Sequence, residues 1–291
     1  MKQLLFDETL PRYKGNLHTH TNRSDGVKTP DEAIFSYRKA GYDFLAITDH
    51  RLYSPGCELD GFTLLGGTEL DCNDFSTRRA WHIIGIGIKE PVSIVDGTPP
   101  DVLVQKIHSA GGLAVLGHPA WSLLSPQDLL SLPGCFATEL YSGISEAYGG
   151  RGDSSILCDI AAAHGYRGFL LGVDDAHFYD RDAFQSWIVL SSPSLKTADL
   201  LESLRAGRFY ASEGPDIRSI SIEDHVITAE TSPCTRIAFF TDTFWKADRL
   251  TLGQNLQSAS CVLTPRDRYV RVECTDANGK RASSQYFVLT E

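Results

Sequence analysis

The sequence predicts an α/β protein that changes class near its end, with repeated strand–helix units up to about residue 210 and a small all-β module after them. Three observations carry this reading. Short apolar runs alternate with helical patterns over the first two thirds of the chain. Histidines and acids cluster just after those runs, where α/β folds place their chemistry. Past Pro215 the helical spacing stops and short alternating segments take over.

The first unit is the clearest. Leu17-His18-Thr19-His20 reads as the end of a strand, so His18 and His20 share a side and can face one metal. Thr29-Pro30-Asp31-Glu32 predicts a helix start, with Thr29 as N-cap, proline at N1 and Glu32 closing a capping box. Gly41 ends that helix, and Phe44-Leu45-Ala46-Ile47 is a buried strand leading to Asp49 and His50. Strand, helix, strand predicts a parallel pair.

The pattern then repeats. Phe62-Thr63-Leu64-Leu65 is a strand, with Glu69 expected just past it, and Trp81 to Ile86 is the next strand, containing His82. A helix opens at Thr98-Pro99-Pro100-Asp101 and stops at Gly111-Gly112. Leu113 to Leu116 then delivers Gly117-His118-Pro119. Ser125-Pro126-Gln127-Asp128 opens a short helix, and Ala137 to Leu140 is a strand. A helix runs from about Ser155 to His164-Gly165. Gly168 to Leu171 is a strand delivering Asp174, Asp175 and His177. Trp187 to Leu190 is another strand, and Ala198 to Ala206 forms the last helix. Beyond Glu213-Gly214-Pro215, six segments between Ile217 and Leu289 read as strands of a small sandwich. The expected domains are therefore residues 1–213 and 214–291.

Composition bounds the function. The chain has 291 residues, 42% of them hydrophobic, which suffices for a real core. A net charge of −10 argues against a broad nucleic-acid surface. It leaves room for a small phosphorylated substrate, because bound cations would reverse the local field. The N-terminus, Met1 to Glu8, lacks a long apolar stretch, and no run reaches the roughly 20 apolar residues of a membrane span. The seven cysteines have no paired spacing, which reads as reduced thiols in the cytoplasm.

The ordered set His18-x-His20, Asp25, Asp49-His50, Glu69, His82, Gly117-His118-Pro119 and Asp175-x-His177 resembles the PHP (polymerase and histidinol phosphatase) family of metal-dependent phosphoesterases. Six of the nine histidines fall on its motif positions. The resemblance covers roughly residues 15 to 210 and implies a distorted barrel of seven strands. It also implies two to three divalent transition metals, zinc, iron or manganese, which accept mixed nitrogen and oxygen ligands. In that family's pattern His18, His20, Glu69 and Asp175 would hold one metal. Glu69, His82 and His118 would hold a second, with Glu69 bridging. Asp25, His50 and His177 would hold a third, and the oxygen donor Asp25 makes that site harder in preference. Asp175 and His177 are thereby catalytic candidates.

The implied chemistry is in-line attack on phosphorus by a hydroxide that the metals share, with no covalent protein nucleophile. No phosphate-loop, dinucleotide or serine-hydrolase motif competes with it. Asp49 reads as a residue orienting the cluster. Asp174 has three readings: orienting the cluster, protonating the leaving group, or capping the turn. Arg151, in a glycine-rich loop, and Arg208 are candidate phosphate clamps, with plain surface arginines as the competing account. Trp121 walls the pocket or belongs to the core. His108, His164 and His225 lack spaced partners and read as surface residues.

Only one helix and one strand pattern separate His82 from His118, so the inserted helical lid of some nucleotide-directed relatives is absent. The C-terminal stretch resembles, more loosely, a subgroup with an appended β domain that includes carbaryl-hydrolase-like metallohydrolases. Three functions follow: a phosphomonoesterase on a small organic phosphate, a carboxyl or carbamate ester hydrolase, and a non-catalytic module. The intact ligand set weighs against the last.

Overall fold

The computed structural model describes residues 3, 4, 6, 9–74 and 76–289. Part of the N-terminal stretch read above for a leader lies outside the described residues, as do the last two residues of the expected second domain.

Two sheets organise the first two thirds of the chain. The smaller runs through Gly67–Asp74, Arg79–Ile86, Leu113–Leu116, Ala137–Ser142 and Phe169–Val173. The larger runs from Cys57–Leu59 through Phe62–Leu65, Phe44–Ala46, Arg12–Asn16 and Trp187–Ser191 to Phe209–Ser212, and then onward into the C-terminal strands. Neighbouring residues on one strand enter different cores. Ile83, Leu116 and Leu170 face the helices Pro100–Ser109, Pro126–Ser131 and Ser155–Ala163. Ile84, Val115 and Leu171 face Leu17, Phe44, Leu65, Ile188 and Leu190 of the larger sheet. Burial on both faces explains the continuous apolar runs in the sequence.

Pairing is mixed. Arg12–Asn16, Phe44–Ala46 and Phe62–Leu65 are parallel, as are Leu113–Leu116, Ala137–Ser142 and Phe169–Val173. Gly67–Asp74 and Arg79–Ile86 instead form an antiparallel hairpin, and Trp187–Ser191 is antiparallel to both neighbours. The hairpin has a local cause, because Asp74 Oδ1 accepts from the Ser76 N–H at 2.9 Å and closes a tight turn with no room for a crossover helix. Thr29 makes the expected capping box, and Ser125 makes one with Asp128 at the start of its helix. The helix Gly143–Gly149 was not expected, since its glycine-rich end reads as a loop.

The strands after Pro215 surround a core of their own that includes Ile220, Ile237, Phe239 and Val272. They do not form a separate sheet: Arg281–Ser283 pairs with Phe209–Ser212, so the packing changes near Glu213 while the hydrogen-bond ladder continues. The two segments expected at Val226 to Glu230 and Arg236 to Thr241 are one strand, Val226–Thr241, with register shifts around Cys234 beside Pro233. Among the described residues, no helix is long and apolar enough to cross a membrane. All seven cysteines are free thiols.

Candidate metal centre

The two sheets meet at one rim. Isolated parallel bridges join Thr19 to Ala176 and His50 to Glu69; the first pair lies between expected donors, and the second is a pair of them. The first strand ends at Asn16 rather than running through the histidines. After a bend at Leu17 the chain is held on both sides at Thr19, with the His20 N–H donating to the Ala176 carbonyl at 2.9 Å and the Thr48 N–H to the Thr19 carbonyl at 2.9 Å. His18 and His20 therefore keep a common side, and their Nε2 atoms lie 3.1 Å apart. Glu69 sits inside the strand Gly67–Asp74, not past its end.

His18, His20, Glu69 and Asp175 form one buried group. Glu69 Oε2 is 3.2 Å from His18 Nε2 and 3.0 Å from His20 Nε2. Asp175 Oδ1 is 3.2 and 3.1 Å from the same two nitrogens. A tetrahedral ion with bonds of about 2.0–2.1 Å needs donor separations of roughly 3.3–3.4 Å. The observed edges fall within a few tenths of an ångström of that. Asp175 Oδ1 is buried without a hydrogen-bond partner, and so is His50 Nδ1. Buried acceptors pointing at one place with no donor among them are costly unless a cation or protons sit between them. The donor set thus fits a divalent metal.

The remaining candidates gather around this group. The second oxygens of both carboxylates turn to a neighbouring position. Glu69 Oε1 lies 2.8 Å from His82 Nδ1 and 3.7 Å from His118 Nε2, while Asp175 Oδ2 lies 3.6 Å from His118 Nε2. Asp175, like Glu69, therefore faces both positions, where the sequence reading gave that place to Glu69 alone. Asp25 Oδ1 is 3.4 Å from both His177 Nε2 and His20 Nδ1, and Asp25 Oδ2 is 3.6 Å from His50 Nε2. The expected trio Asp25, His50 and His177 is brought together, with His20 joining it. His50 also turns Nδ1 toward Glu69 at 3.3 Å. A neutral imidazole has one lone pair, so His20 and His50 each serve one position at a time.

Charge in the centre is tightly coupled. Burial alone would lower the pKa of His18, but Asp175, Glu139 and Glu69 outweigh it and raise that ring well above its ordinary value. His20 behaves the same way, pulled up to about 9 against burial by hydrogen bonding and charge from Asp175 and Glu69. Burial would raise Glu69 and Asp175, yet the surrounding imidazoles hold both below the usual carboxylate range. Asp25 is lowered chiefly by its hydrogen bond with His177. Without metal, protons on the rings do the neutralising.

Supporting residues fix this geometry. Glu139 Oε1 faces His18 Nδ1 at 2.7 Å, and Glu139 Oε2 accepts the His118 N–H at 2.8 Å. A proton on Nδ1 leaves the Nε2 lone pair free for a cation. Asp49 accepts from Thr21 N–H and Oγ1 at 2.7 Å each and from Ser24 Oγ at 2.8 Å, in keeping with an orienting role. Asp182, which the sequence did not single out, accepts the N–H groups of His177, Phe178 and Tyr179 at 2.6–2.8 Å. His177 Nδ1 lies 2.8 Å from the Asp175 carbonyl, an arrangement that leaves Nε2 toward Asp25. His118 at φ 22° and Asp175 at φ 54° hold left-handed backbone, a conformation non-glycine residues keep where the surroundings impose it.

Three candidates do not join the centre. Asp174 is buried beneath it, with its carboxylate accepting from the N–H groups of Phe184, Gln185 and Ser186 and from the Tyr37 hydroxyl at 2.7–2.9 Å. Burial pushes its pKa up to about 6, and these four bonds engage its oxygens, so it shapes the turn and does not line the cavity beside the donors. Arg151 is exposed and does not line the cavity beside the donors. Arg208 precedes Phe209, which pairs with Leu190, and Leu190 pairs with Tyr13. It therefore lies at the start of the Arg12–Asn16 strand, away from the histidines that follow that strand's end. His108, His164 and His225 are exposed, with His164 Nδ1 2.8 Å from the Ile160 carbonyl at a helix end.

A cavity of about 340 Å³ opens over the donors. Asp25, His50, Glu69, His82, His118, Asp175 and His177 line one side of it, and Trp121, Ile144, Tyr148 and Phe178 line another.

No family model matches the chain. A two-domain protein from Bacteroides vulgatus, described as containing a predicted PHP-like metal-dependent phosphoesterase, superposes with a TM-score of 0.57 at 14% identity, over 99% of this chain and 98% of that one. By fold, the chain is PHP-like. The uncharacterized protein MJ1587 of Methanocaldococcus jannaschii is 30% identical over 117 residues, which are 36% of this chain and 67% of that protein, and the chain belongs to its family. A phosphoribosyl 1,2-cyclic phosphate 1,2-diphosphodiesterase from Eggerthella lenta is 32% identical over 81 residues, 26% of this chain and only 31% of that enzyme's length.

Proposed function

We propose that the chain is a metal-dependent hydrolase of a phosphate monoester of a small organic alcohol. The observation that carries this reading is the buried convergence of acceptor groups on Glu69 and Asp175, whose two oxygens each face two adjoining positions. The named activity of the Eggerthella lenta relative, a phosphodiesterase, points the same way. In this reading the two sheets are halves of a distorted seven-stranded barrel within residues 1–213, and residues 214–291 are an appended β domain.

Two to three zinc, iron or manganese ions held by the nine donors would make hydroxide available near neutral pH and offset charge on the phosphate oxygens. The chain's own residues set the geometry for this. Glu69 and Asp175 fix the spacing of the first two positions, Glu139 fixes the His18 tautomer, and Asp182 holds the His177 loop. Water adds to phosphorus, the ester P–O bond breaks, and the products are inorganic phosphate and the alcohol. The intact donor set speaks against a non-catalytic module.

One observation favours a second reading. Among the described residues, no lysine or arginine lines the cavity, so the same centre suits a carboxyl or carbamate ester whose carbonyl needs no cationic clamp. A hydrolysis screen of the metal-loaded protein decides between them, pairing sugar and alkyl monophosphates with aryl acetates and carbamates. Phosphate release supports the first reading. Ester or carbamate turnover without phosphate release overturns it.

A further inference from the structure

The cavity over the donors has two unlike halves. One presents anionic oxygens and imidazoles. The other is aromatic and comes from three separate segments. Trp121 follows His118 and stands edge-on to two donor rings, its centroid 4.9 Å from that of His118 and 5.9 Å from that of His82. Tyr148 lies in the last turn of the helix Gly143–Gly149, and Phe178 follows His177. Their rings meet edge to face at 5.2 Å. A Cβ on Gly149 would come within 3.3 Å of Trp121 Cδ1, so the indole rests against bare backbone there.

All three rings stay 42–46% exposed. One exposed aromatic ring is ordinary. Three around a single mouth make an apolar surface that suits a ligand. Arg181 stacks on the Tyr148 ring at 4.1 Å but is not part of this cavity's lining, and with Lys280 it borders a separate cavity of about 200 Å³.

We propose that this aromatic slot holds the alcohol portion of the substrate as a flat, uncharged ring, with Trp121 and Phe178 as its specificity determinants. The proposal rests on the phosphoester reading above and narrows it to ring-bearing monoesters. A second phosphate or a carboxylate on the alcohol would meet no lysine or arginine among the described residues of the lining, and the aromatic half offers it no hydrogen-bonding charge. A ring gains both burial and edge or face contacts with the aromatic residues. The cavity, near the low end of the roughly 300–1,000 Å³ usual for small-molecule sites, has room for a phosphoryl group and one ring system.

The test compares two probes of equal charge, benzylphosphonate and n-propylphosphonate, which bind but cannot be hydrolysed. Calorimetry on the metal-loaded protein should show benzylphosphonate binding about tenfold tighter or better. Trp121→Ala and Phe178→Ala should each weaken benzylphosphonate at least fivefold more than n-propylphosphonate, and Trp121→Phe should keep the preference. Equal affinities in the parent protein, or a preference surviving both alanine variants, overturns the slot. Benzyl and n-propyl phosphate, with similarly poor leaving groups, are then assayed for turnover. If neither is hydrolysed, the phosphoesterase reading fails, and the phosphonate result still decides the slot.

Discussion

Two regions of this protein bury charge, and only one of them reads as a site. Beneath the C-terminal strands, the fully buried Arg271 donates to Asp159 at 2.6 and 3.0 Å, to Glu273 at 3.0 Å and to Ser283 at 2.8 Å. Arg236 and the Tyr141 hydroxyl complete Glu273, and the Tyr286 hydroxyl completes Asp159. Each acceptor there faces a donor. At the rim between the sheets the carboxylates of Glu69 and Asp175 instead face imidazole nitrogens, crowded within 3.0–3.2 Å, and among the described residues no lysine or arginine pairs with them. Burial of charge is common to both. Carboxylates and imidazoles that converge with no permanent cation among them distinguish a place built for a metal ion from a place built for cohesion.

The largest effect should come from Glu69, which touches two positions at once. Glu69→Gln removes a negative charge from both, and kcat/KM on whichever ester the screen identifies should fall about 10⁴-fold, with metal content dropping in parallel. An activity loss with full metal content would blur the comparison, since the residue would then be acting without holding a cation. Next in size is Arg271→Met. It strands Asp159 and Glu273 with only part of their donors, and should cost about 3 kcal/mol in denaturant unfolding while leaving metal stoichiometry unchanged.

Smaller effects sharpen the contrast. Glu139→Gln should weaken metal binding by roughly 10–100-fold, because the His18 ring loses the partner that fixes its tautomer. The last prediction concerns pH. His20 has a folded pKa of about 9 against an unfolded value near 6.5, so its protonated ring stabilises the metal-free protein fully below pH 6.5. That contribution is lost as pH rises toward 9. The Tm of chelated protein should therefore fall across this window while metal affinity rises, since the ring must shed its proton to bind. A metal-free Tm that climbs from pH 6.5 to 9 would contradict the assigned charges.

Much of this was legible in the sequence, for local reasons. Thr29 with Glu32 and Ser125 with Asp128 announce their helices through contacts three residues apart. His18 and His20 share a side because an extended chain alternates. The nine expected donors, scattered from His18 to His177, gather at one rim in the structure. What stayed hidden depends on distant pairing. The antiparallel pairing of Arg79–Ile86 with Leu113–Leu116 is made across a helix-length connection, and the ladder from Phe209 to Arg281 joins segments far apart in sequence. Glu139 lies within the strand expected at Ala137 to Leu140, and its grip on His18 spans more than a hundred residues. Arg151, in its glycine-rich loop, and Arg208 were candidate clamps because an arginine can hold a phosphate bidentately, and neither lines the cavity. Trp121 was read as pocket wall or core and lines the cavity, where packing adds Tyr148 and Phe178.

The claim beneath all of this is that the rim donors grip divalent cations. The most direct measurement is an anomalous-scattering map of crystals grown with manganese or zinc. The account predicts a peak about 2.0–2.3 Å from His18 Nε2, His20 Nε2, a Glu69 oxygen and an Asp175 oxygen. Metal-containing crystals with no peak between those four side chains would contradict it.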